Sequence, residues 1–286
     1  MPLTPTHEIA RRARAAGAGV GAFNVLQLEH AQAIVAGAER AHRPVVLQIS
    51  ENTVRYHGAL EPVALACLAL ARAAEVPVAV HLDHAESPGL VHEAVGLGLG
   101  SVMFDASKLP YAENTAATRD VVEHCHRHGV WVEGELGEVG GKGGAHDPGV
   151  RTDPGEARAF VAATGVDALA VAVGSVHQMV TRDAVLDLDL IARLRTAVEV
   201  PLVLHGSSGV PDVLLARAVA AGMTKVNVST HLNKAFTRAV RDHLTAHPAE
   251  VDPRRRTAAE RPAGGDVGGL PVRVRLRDDR VAVRAA

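Results

Sequence analysis

Four side chains define the chemistry open to this chain. Asp83 and His84 are adjacent in the run His81-Leu82-Asp83-His84-Ala85-Glu86, and two imidazoles, His177 and His205, lie far along the sequence. Each follows a short apolar run and precedes a turn, which puts an acid and three imidazoles at the exits of buried strands. Three neutral imidazoles with an open fourth position suit a catalytic zinc, because the ion keeps room for substrate oxygens. The chain has sixteen histidines, so any one alone reads as a satisfied structural residue. Three at strand ends, each beside a loop, read as a ligand set. Asp83 is the candidate general acid/base, exchanging a proton with a substrate hydroxyl that the ion does not bind; its other reading is a partner orienting His84. His81 is expected to pack in or below the site. Asp105 and Glu135 also stand at strand ends, where they either accept hydrogen bonds from the imidazoles or hold a second, weaker metal.

Two small polar segments suggest where an anion sits. Gly206-Ser207-Ser208-Gly209, followed by Val210 and Pro211, offers close backbone approach, two hydroxyls and the start of a helix. Asn227-Val228-Ser229-Thr230 repeats the arrangement after the next apolar run. Small polar turns are common, and only the pair points to a phosphate group.

Positioning these residues takes a repeating framework. Apolar runs at 19–25, 44–49, 76–82, 101–104, 130–136, 168–173, 201–204 and 225–228 alternate with helical stretches near 29–42, 60–74, 90–97, 111–128, 154–164, 187–197, 211–221 and 232–246, after a short leading helix near 6–16. Strands of four to eight residues alternating with longer helices argue for a parallel sheet. Eight units in 286 residues point to an α/β (β/α)8 TIM barrel rather than an open doubly wound sheet. No Gly-x-Gly-x-x-Gly follows the first run, which counts against dinucleotide binding. The strand exits read Asn24, Ser50, Asp83-His84, Asp105, Glu135, Gly174 to His177, His205 to Ser208 and Asn227 to Thr230, all polar or small. That is the face on which such a barrel carries its active site, and the phosphate loops of this fold follow strands seven and eight.

Composition agrees. Hydrophobic residues make up 47% but aromatics only 2%, so the core is built from Ala, Val and Leu. A formal charge of −2 gives no global pull toward nucleic acid or anionic membrane. Cys67 and Cys125 lie far apart in helical patterns and read as buried small hydrophobes in a reducing compartment. His124, His126 and His128 close a helix, with only His124 and His128 on one face, and read as exposed last-turn residues favoured by the helix dipole. No secretory signal and no apolar run of membrane-spanning length are visible, so a cytoplasmic protein is expected.

The segments Ala22-Phe23-Asn24-Val25, Leu82-Asp83-His84-Ala85, Phe104-Asp105-Ala106-Ser107, Val132-Glu133-Gly134-Glu135-Leu136-Gly137, Val203-Leu204-His205-Gly206-Ser207-Ser208-Gly209 and Lys225-Val226-Asn227-Val228-Ser229-Thr230 resemble, in order, those of the class II, zinc-dependent fructose- and tagatose-bisphosphate aldolases. The likeness runs from about residue 6 to 253 and is closest to the compact branch that includes the tagatose enzymes. It implies reversible cleavage of a ketose 1,6-bisphosphate, fructose 1,6-bisphosphate first, to dihydroxyacetone phosphate and glyceraldehyde 3-phosphate. His84, His177 and His205 would match the zinc ligands, the ion polarising the ketone carbonyl and stabilising the enediolate. Asp83 would match the residue exchanging the proton of the carbon-4 hydroxyl, and Asp105 and Glu135 would match positions credited with a second divalent metal or with support of the first. Asn24, Ser50 and Gln178 would contact substrate. Gly206, Ser207, Ser208, Asn227, Val228, Ser229 and Thr230 would hold the phosphate beside a monovalent cation. The implied partners are a small sugar phosphate and further copies of the chain, as a dimer or tetramer, with no nucleic acid and no membrane. The rivals are a sibling aldolase acting on tagatose bisphosphate, another phosphorylated ketose or a deoxy-sugar acid, and a catalytically dead sugar-phosphate binder.

Three departures bear on that choice. The loop Gly140-Gly141-Lys142-Gly143-Gly144-Ala145-His146 lacks the acidic residues that many relatives carry there, one of them assigned to proton exchange at carbon 3. Gln178 follows His177 where relatives usually have Gly. From Arg254 to Ala286 the chain turns Arg-rich, with Gly264-Gly265, Gly268-Gly269 and alternating Val272-Arg273-Val274-Arg275. The expected division is a barrel over 1–253 and a basic tail over 254–286, disordered, degenerate or frameshifted.

Overall fold

A computed structural model describes residues 2–136, 151–177, 179, 181–252 and 254–255, and the backbone of 273–277 and 280–284. Eight parallel strands close into one barrel: β1 (Val20–Asn24), β2 (Val45–Ser50), β3 (Val78–Ala85), β4 (Ser101–Phe104), β5 (Trp131–Leu136), β6 (Ala168–Val171), β7 (Leu202–Leu204) and β8 (Met223–Val228), with β8 pairing back onto β1. The helices are α1 (Thr6–Ala15), α2 (Leu28–Ala41), α3 (Glu51–His57), α4 (Glu61–Ala73), α5 (Pro88–Gly96), α6 (Tyr111–Arg127), α7 (Pro154–Thr164), α8 (Leu188–Ala197), α9 (Asp212–Ala221) and α10 (Thr230–Ala246). In the tail, β9 (Arg273–Arg277) and β10 (Arg280–Arg284) pair antiparallel.

Local signals explain several starts. Asp153 accepts from the backbone N–H of Gly155 and Glu156 at 2.8 and 3.0 Å, with Pro154 opening α7 where its missing N–H costs nothing. Asp187 caps α8 through Leu190 N at 2.8 Å. Between β2 and β3 the expectation is corrected: α3 stands where no helix is expected, and its cap, Ser50, accepts from Thr53 N at 3.3 Å. Seven residues are too few for a visible apolar period, so only the Ser cap with Glu51 in the first turn announces it.

Two cores follow from the pleat. Outward-facing strand residues such as Leu47, Leu82, Val102 and Leu169 pack with helix residues such as Ile34, Leu68, Phe160 and Ile191 in one continuous apolar layer. Cys67 and Cys125 belong to it as free thiols, and burial pushes them up to about 12 and about 11.

The inside of the barrel is layered. At the bottom, Ile9 and Ala13 of α1 pack on Val20, Ala22, Val46 and Ala79, while Ala10 meets Met103, Trp131, Ala168, Ala170 and Val203. Two residues along each strand, on the same face, come Gln48, His81, Glu133 and Lys225, all essentially sealed from solvent. Two residues further stand Ser50, Asp83, Glu135 and Asn227, level with Asn24, Asp105 and His205 at the mouth. The interior thus grades from an apolar plug to a polar rim, unlike the branched-aliphatic filling common in this architecture.

At the flank, His30 of α2 is 4% exposed and stacks on Phe236 of α10 with ring centroids 4.6 Å apart; neither ring nitrogen has a hydrogen-bond partner among the described residues. Burial holds this imidazole below its ordinary 6.5, with Glu29 pulling weakly the other way. A histidine depressed in the folded state contributes stability that is full above its unfolded value and is lost as pH falls below it. Wild type is therefore expected to lose up to about 1 kcal/mol more than His30→Leu between pH 6.5 and 5.5, since one proton is worth at most about 1.4 kcal/mol per pH unit. Urea unfolding at both pH values checks this, and parallel curves would refute it.

Candidate active site

The mouth of the barrel holds a cavity of about 320 Å³. Asn24, Ser50, Asp83, His84, His177, Gly206, Ser207, Ser208, Asn227, Ser229 and Thr230 all line it. The three imidazoles converge, with ring centroids 4.5 Å apart for His84 and His205, 5.1 Å for His84 and His177, and 5.6 Å for His177 and His205. One ligand atom from each lies within 4.8 Å of the other two, and the same holds for His84, Asp105 and Glu135.

A regular strand would send Asp83 and His84 to opposite faces. Here the β3–β4 register slips between Leu82 and Ala85, and His84 adopts a left-handed φ of 51°. That bulge turns both side chains toward the mouth. A non-glycine residue in this region costs on the order of 1–3 kcal/mol and persists only where its surroundings hold it. His84 Nδ1 stands 2.9 Å from Asp105 Oδ2, and Asp105 Oδ1 accepts from Ser107 N and Oγ at 3.2 and 2.6 Å.

Close loop approach brings in the other two rings. Gly206 has a φ of 66°, and a Cβ there would fall within 3 Å of the Val176 backbone. Only glycine lets the segment before His177 lie against the segment after His205, where Ser175 Oγ donates to the His205 carbonyl at 2.6 Å.

The donor pattern decides what the imidazoles offer. His84 gives its Nδ1 proton to Asp105, and His205 gives its Nε2 proton to Glu133 Oε1 at 2.9 Å. Asn227 Nδ2 also lies 3.2 Å from that Nε2, but both are donors, so the amide turns its proton to Asp83 Oδ1 at 3.3 Å. What remains is His84 Nε2 facing His205 Nδ1 at 2.9 Å. In the neutral tautomers these are two lone pairs aimed at each other. A cation between or beside them resolves that arrangement, with His177 as the third nitrogen. The residues fit a divalent transition metal, and Asp105 and Glu135 add carboxylate oxygens next to it.

Asp83 is 2% exposed. Asn24 and Gln48 donate to its Oδ2 at 3.3 and 3.4 Å, Asn227 donates to its Oδ1, and Gln48 also donates to Asn24 Oδ1 at 2.7 Å. Burial alone would push this carboxyl up, but positive charge at the facing His84 and His205 nitrogens, together with Lys225, outweighs it and holds it below its usual value. It therefore faces the cavity as a carboxylate.

The two segments expected to hold phosphate lie together, with their hydroxyls partly committed. Ser207 Oγ donates to the Asn227 carbonyl, leaving its backbone for a ligand. Ser208 Oγ accepts from the N–H of Ser229 and His231 at 3.4 and 3.2 Å, which keeps its own proton available beside the start of α10. Val228 points away, into the outer core and toward a separate apolar groove of about 610 Å³ between α1 and α2, so any contact it makes at the mouth falls to its backbone. Gln178 and the loop containing Lys142 lie outside the described residues.

Sequence reading missed a second tier. Glu133 is fully buried and accepts from Lys225 Nζ at 2.8 Å as well as from His205. His81 lies below the site, as expected, bonded to Ser101 Oγ at 2.8 Å and 3.8 Å from Glu133. At the outer wall, Arg55 pairs with Glu51 and Lys108 with Glu86. The alternation of Glu133 with Glu135, two carboxylates on one strand face, was the signal available for the first of these.

Comparisons with known proteins agree with this site. The sequence profile of the family "Fructose-bisphosphate aldolase class-II" matches residues 4–264. The YdjI aldolase of Escherichia coli K12 is 32% identical, over 91% of this chain and 92% of its own, with a TM-score of 0.79. A putative fructose-1,6-biphosphate aldolase from Coccidioides immitis is 30% identical, over 89% and 91%, with a TM-score of 0.80. The fructose-bisphosphate aldolase of Campylobacter jejuni shares the fold at 23% identity, over 85% and 80%, with a TM-score of 0.72. With three imidazoles and an ionised aspartate meeting at the mouth of the barrel, and that match over nearly the whole chain, the protein belongs to the class II fructose-bisphosphate aldolase family of metal-dependent aldehyde-lyases.

Proposed function

We propose that this aldolase uses zinc and reversibly cleaves a ketose 1,6-bisphosphate, fructose 1,6-bisphosphate first, to dihydroxyacetone phosphate and glyceraldehyde 3-phosphate. The observation that carries the reading is the pair of imidazole nitrogens facing each other at 2.9 Å with an ionised Asp83 beside them. A zinc ion held by His84, His177 and His205 would supply Lewis-acid charge to the ketone carbonyl. Asp83 takes the proton of the carbon-4 hydroxyl in cleavage and returns it in condensation. Asn24, Gln48 and Asn227 fix that carboxylate in place. The phosphate binds against the backbone of Gly206 to Ser208, the Ser208 hydroxyl and the N-terminal end of α10, whose aligned peptide dipoles favour an anion. A monovalent cation beside the phosphate, a second divalent ion on Asp105 and Glu135, a dimeric or tetrameric assembly and a cytoplasmic setting belong to the same reading. Among the described residues no helix is long and apolar enough to cross a membrane. The barrel over 1–253 carries the machinery, and the tail adds none of the groups used above.

A specific observation favours a second substrate. Arg55 and Lys108 at the outer wall are each already matched by a carboxylate, Glu51 and Glu86. Two neutral pairs suit an uncharged polyhydroxy aldehyde better than a second phosphate, so a ketose carrying one phosphate is the alternative. Retro-aldol turnover on fructose and tagatose bisphosphates and on ketose 1-phosphates separates the readings. Activity should vanish on dialysis against a chelator and return with zinc. Turnover indifferent to chelation would overturn the metal assignment, and absence of cleavage on the whole panel would overturn the function.

A further inference from the structure

Three histidines outside the active site form a second cluster. His124 and His128 stand four residues apart at the end of α6, with ring centroids 4.7 Å apart, and His92 of α5 lies against His124 at 3.9 Å. His128 is only three residues before β5 begins, so the cluster lies toward the N-terminal ends of the strands, away from the catalytic mouth. His92 and His128 are exposed and His124 half-buried, which leaves the outer rings free to turn.

We propose that His92, His124 and His128 form a surface site for a borderline divalent transition ion such as zinc, nickel or copper, distinct from the catalytic centre. Two histidines at i and i+4 share a helix face, the spacing that lets both imidazoles reach one ion. His128 is already set for it. Its Nδ1 donates to the His124 carbonyl at 2.9 Å, which fixes the tautomer and leaves the lone pair on Nε2. The rings are tilted at 34° and 39°, and their ligand nitrogens do not yet meet within 4.8 Å as those of the catalytic imidazoles do, so closing on an ion takes rotation about the side-chain bonds. Burial, with His92, His128 and Arg127 beside it, holds His124 below its ordinary value, which favours the neutral ring that a metal needs. Three imidazoles without a carboxylate select transition ions over magnesium or calcium. Because the ligands come from two helices, a bound ion would clamp α5 to α6.

A neighbouring feature supplies the control. His243 and His247 at the end of α10 repeat the i, i+4 geometry, with centroids 4.6 Å apart and His247 Nδ1 bonded to the His243 carbonyl at 3.1 Å, but among the described residues no ring from another helix packs on them. The test is equilibrium dialysis of the full-length, zinc-loaded enzyme against nickel, with metal content and retro-aldol turnover measured together. His124→Ala should lose one equivalent of nickel and the nickel-dependent rise in melting temperature while keeping turnover. His92→Ala should weaken nickel binding at least about tenfold, since even outer partners of a ligand are worth 10–100-fold in affinity. His243→Ala should retain the tight site. Equal nickel uptake in wild type and His124→Ala would overturn the proposal, as would unchanged affinity in His92→Ala or a loss that follows His243→Ala instead.

Discussion

Asp83→Asn should lower kcat by roughly 10²–10⁴-fold, the range for removing a positioned general acid/base. Asparagine is nearly isosteric, and its remaining oxygen can still accept from one of Asn24, Gln48 and Asn227, so the mouth of the barrel keeps its shape. What disappears is the carboxylate that those three amides hold in place at the cavity. The split between parameters tells the two roles of Asp83 apart. A proton carrier acts in the transition state, so kcat and kcat/KM fall together while KM and metal content stay near wild type. A residue that only orients His84 would instead lose metal, and added zinc would restore much of the rate. Steady-state kinetics with metal analysis on the same preparation checks this. A variant within about threefold of wild-type kcat at full metal occupancy would remove Asp83 from the chemistry.

Much of this site was legible because barrel strands have a period of two. Asn24, Ser50, Asp83, Asp105, Glu135, His205 and Asn227 occupy one level of the pleat, and polar residues ending apolar runs expose that level in the sequence. His84 breaks the period. Its place beside Asp83 depends on the bulge and the left-handed backbone, which nothing in Leu82-Asp83-His84-Ala85 announces. The level beneath was illegible for a different reason. Lys225 opens an apolar run and reads as a strand start, although β8 begins at Met223 and Lys225 is 1% exposed. A lysine is sealed in a barrel only if a distant acid meets it, and the 92 residues to Glu133 hide that partnership from any local pattern. The surface histidines show the same limit. His124 and His128 share a helix face in the sequence, while His92 joins them only through the packing of α5 on α6.

That hidden level makes the last prediction. Glu133 accepts from both Lys225 and His205, so it couples a buried ion pair to the orientation of an imidazole at the mouth. Lys225→Met leaves the carboxylate sealed without its ammonium, and should destabilise the fold by about 3–5 kcal/mol, the cost of an uncompensated buried charge. Adding Glu133→Gln removes that charge while the Gln carbonyl still accepts the His205 Nε2 proton, so the double variant should be more stable than the single one. Metal binding should move the other way. Without the negative charge behind it, His205 is a weaker base, and affinity in the double variant should fall by about 10–100-fold, as for other lost partners of metal-ligating histidines. Urea unfolding of the metal-free proteins gives the stabilities, and competition with a chromogenic chelator gives the affinities. If the two substitutions simply added in both measurements, Glu133 and Lys225 would be independent tenants of the core. Opposite signs in stability and affinity are the signature of a charge kept inside the barrel for the metal above it.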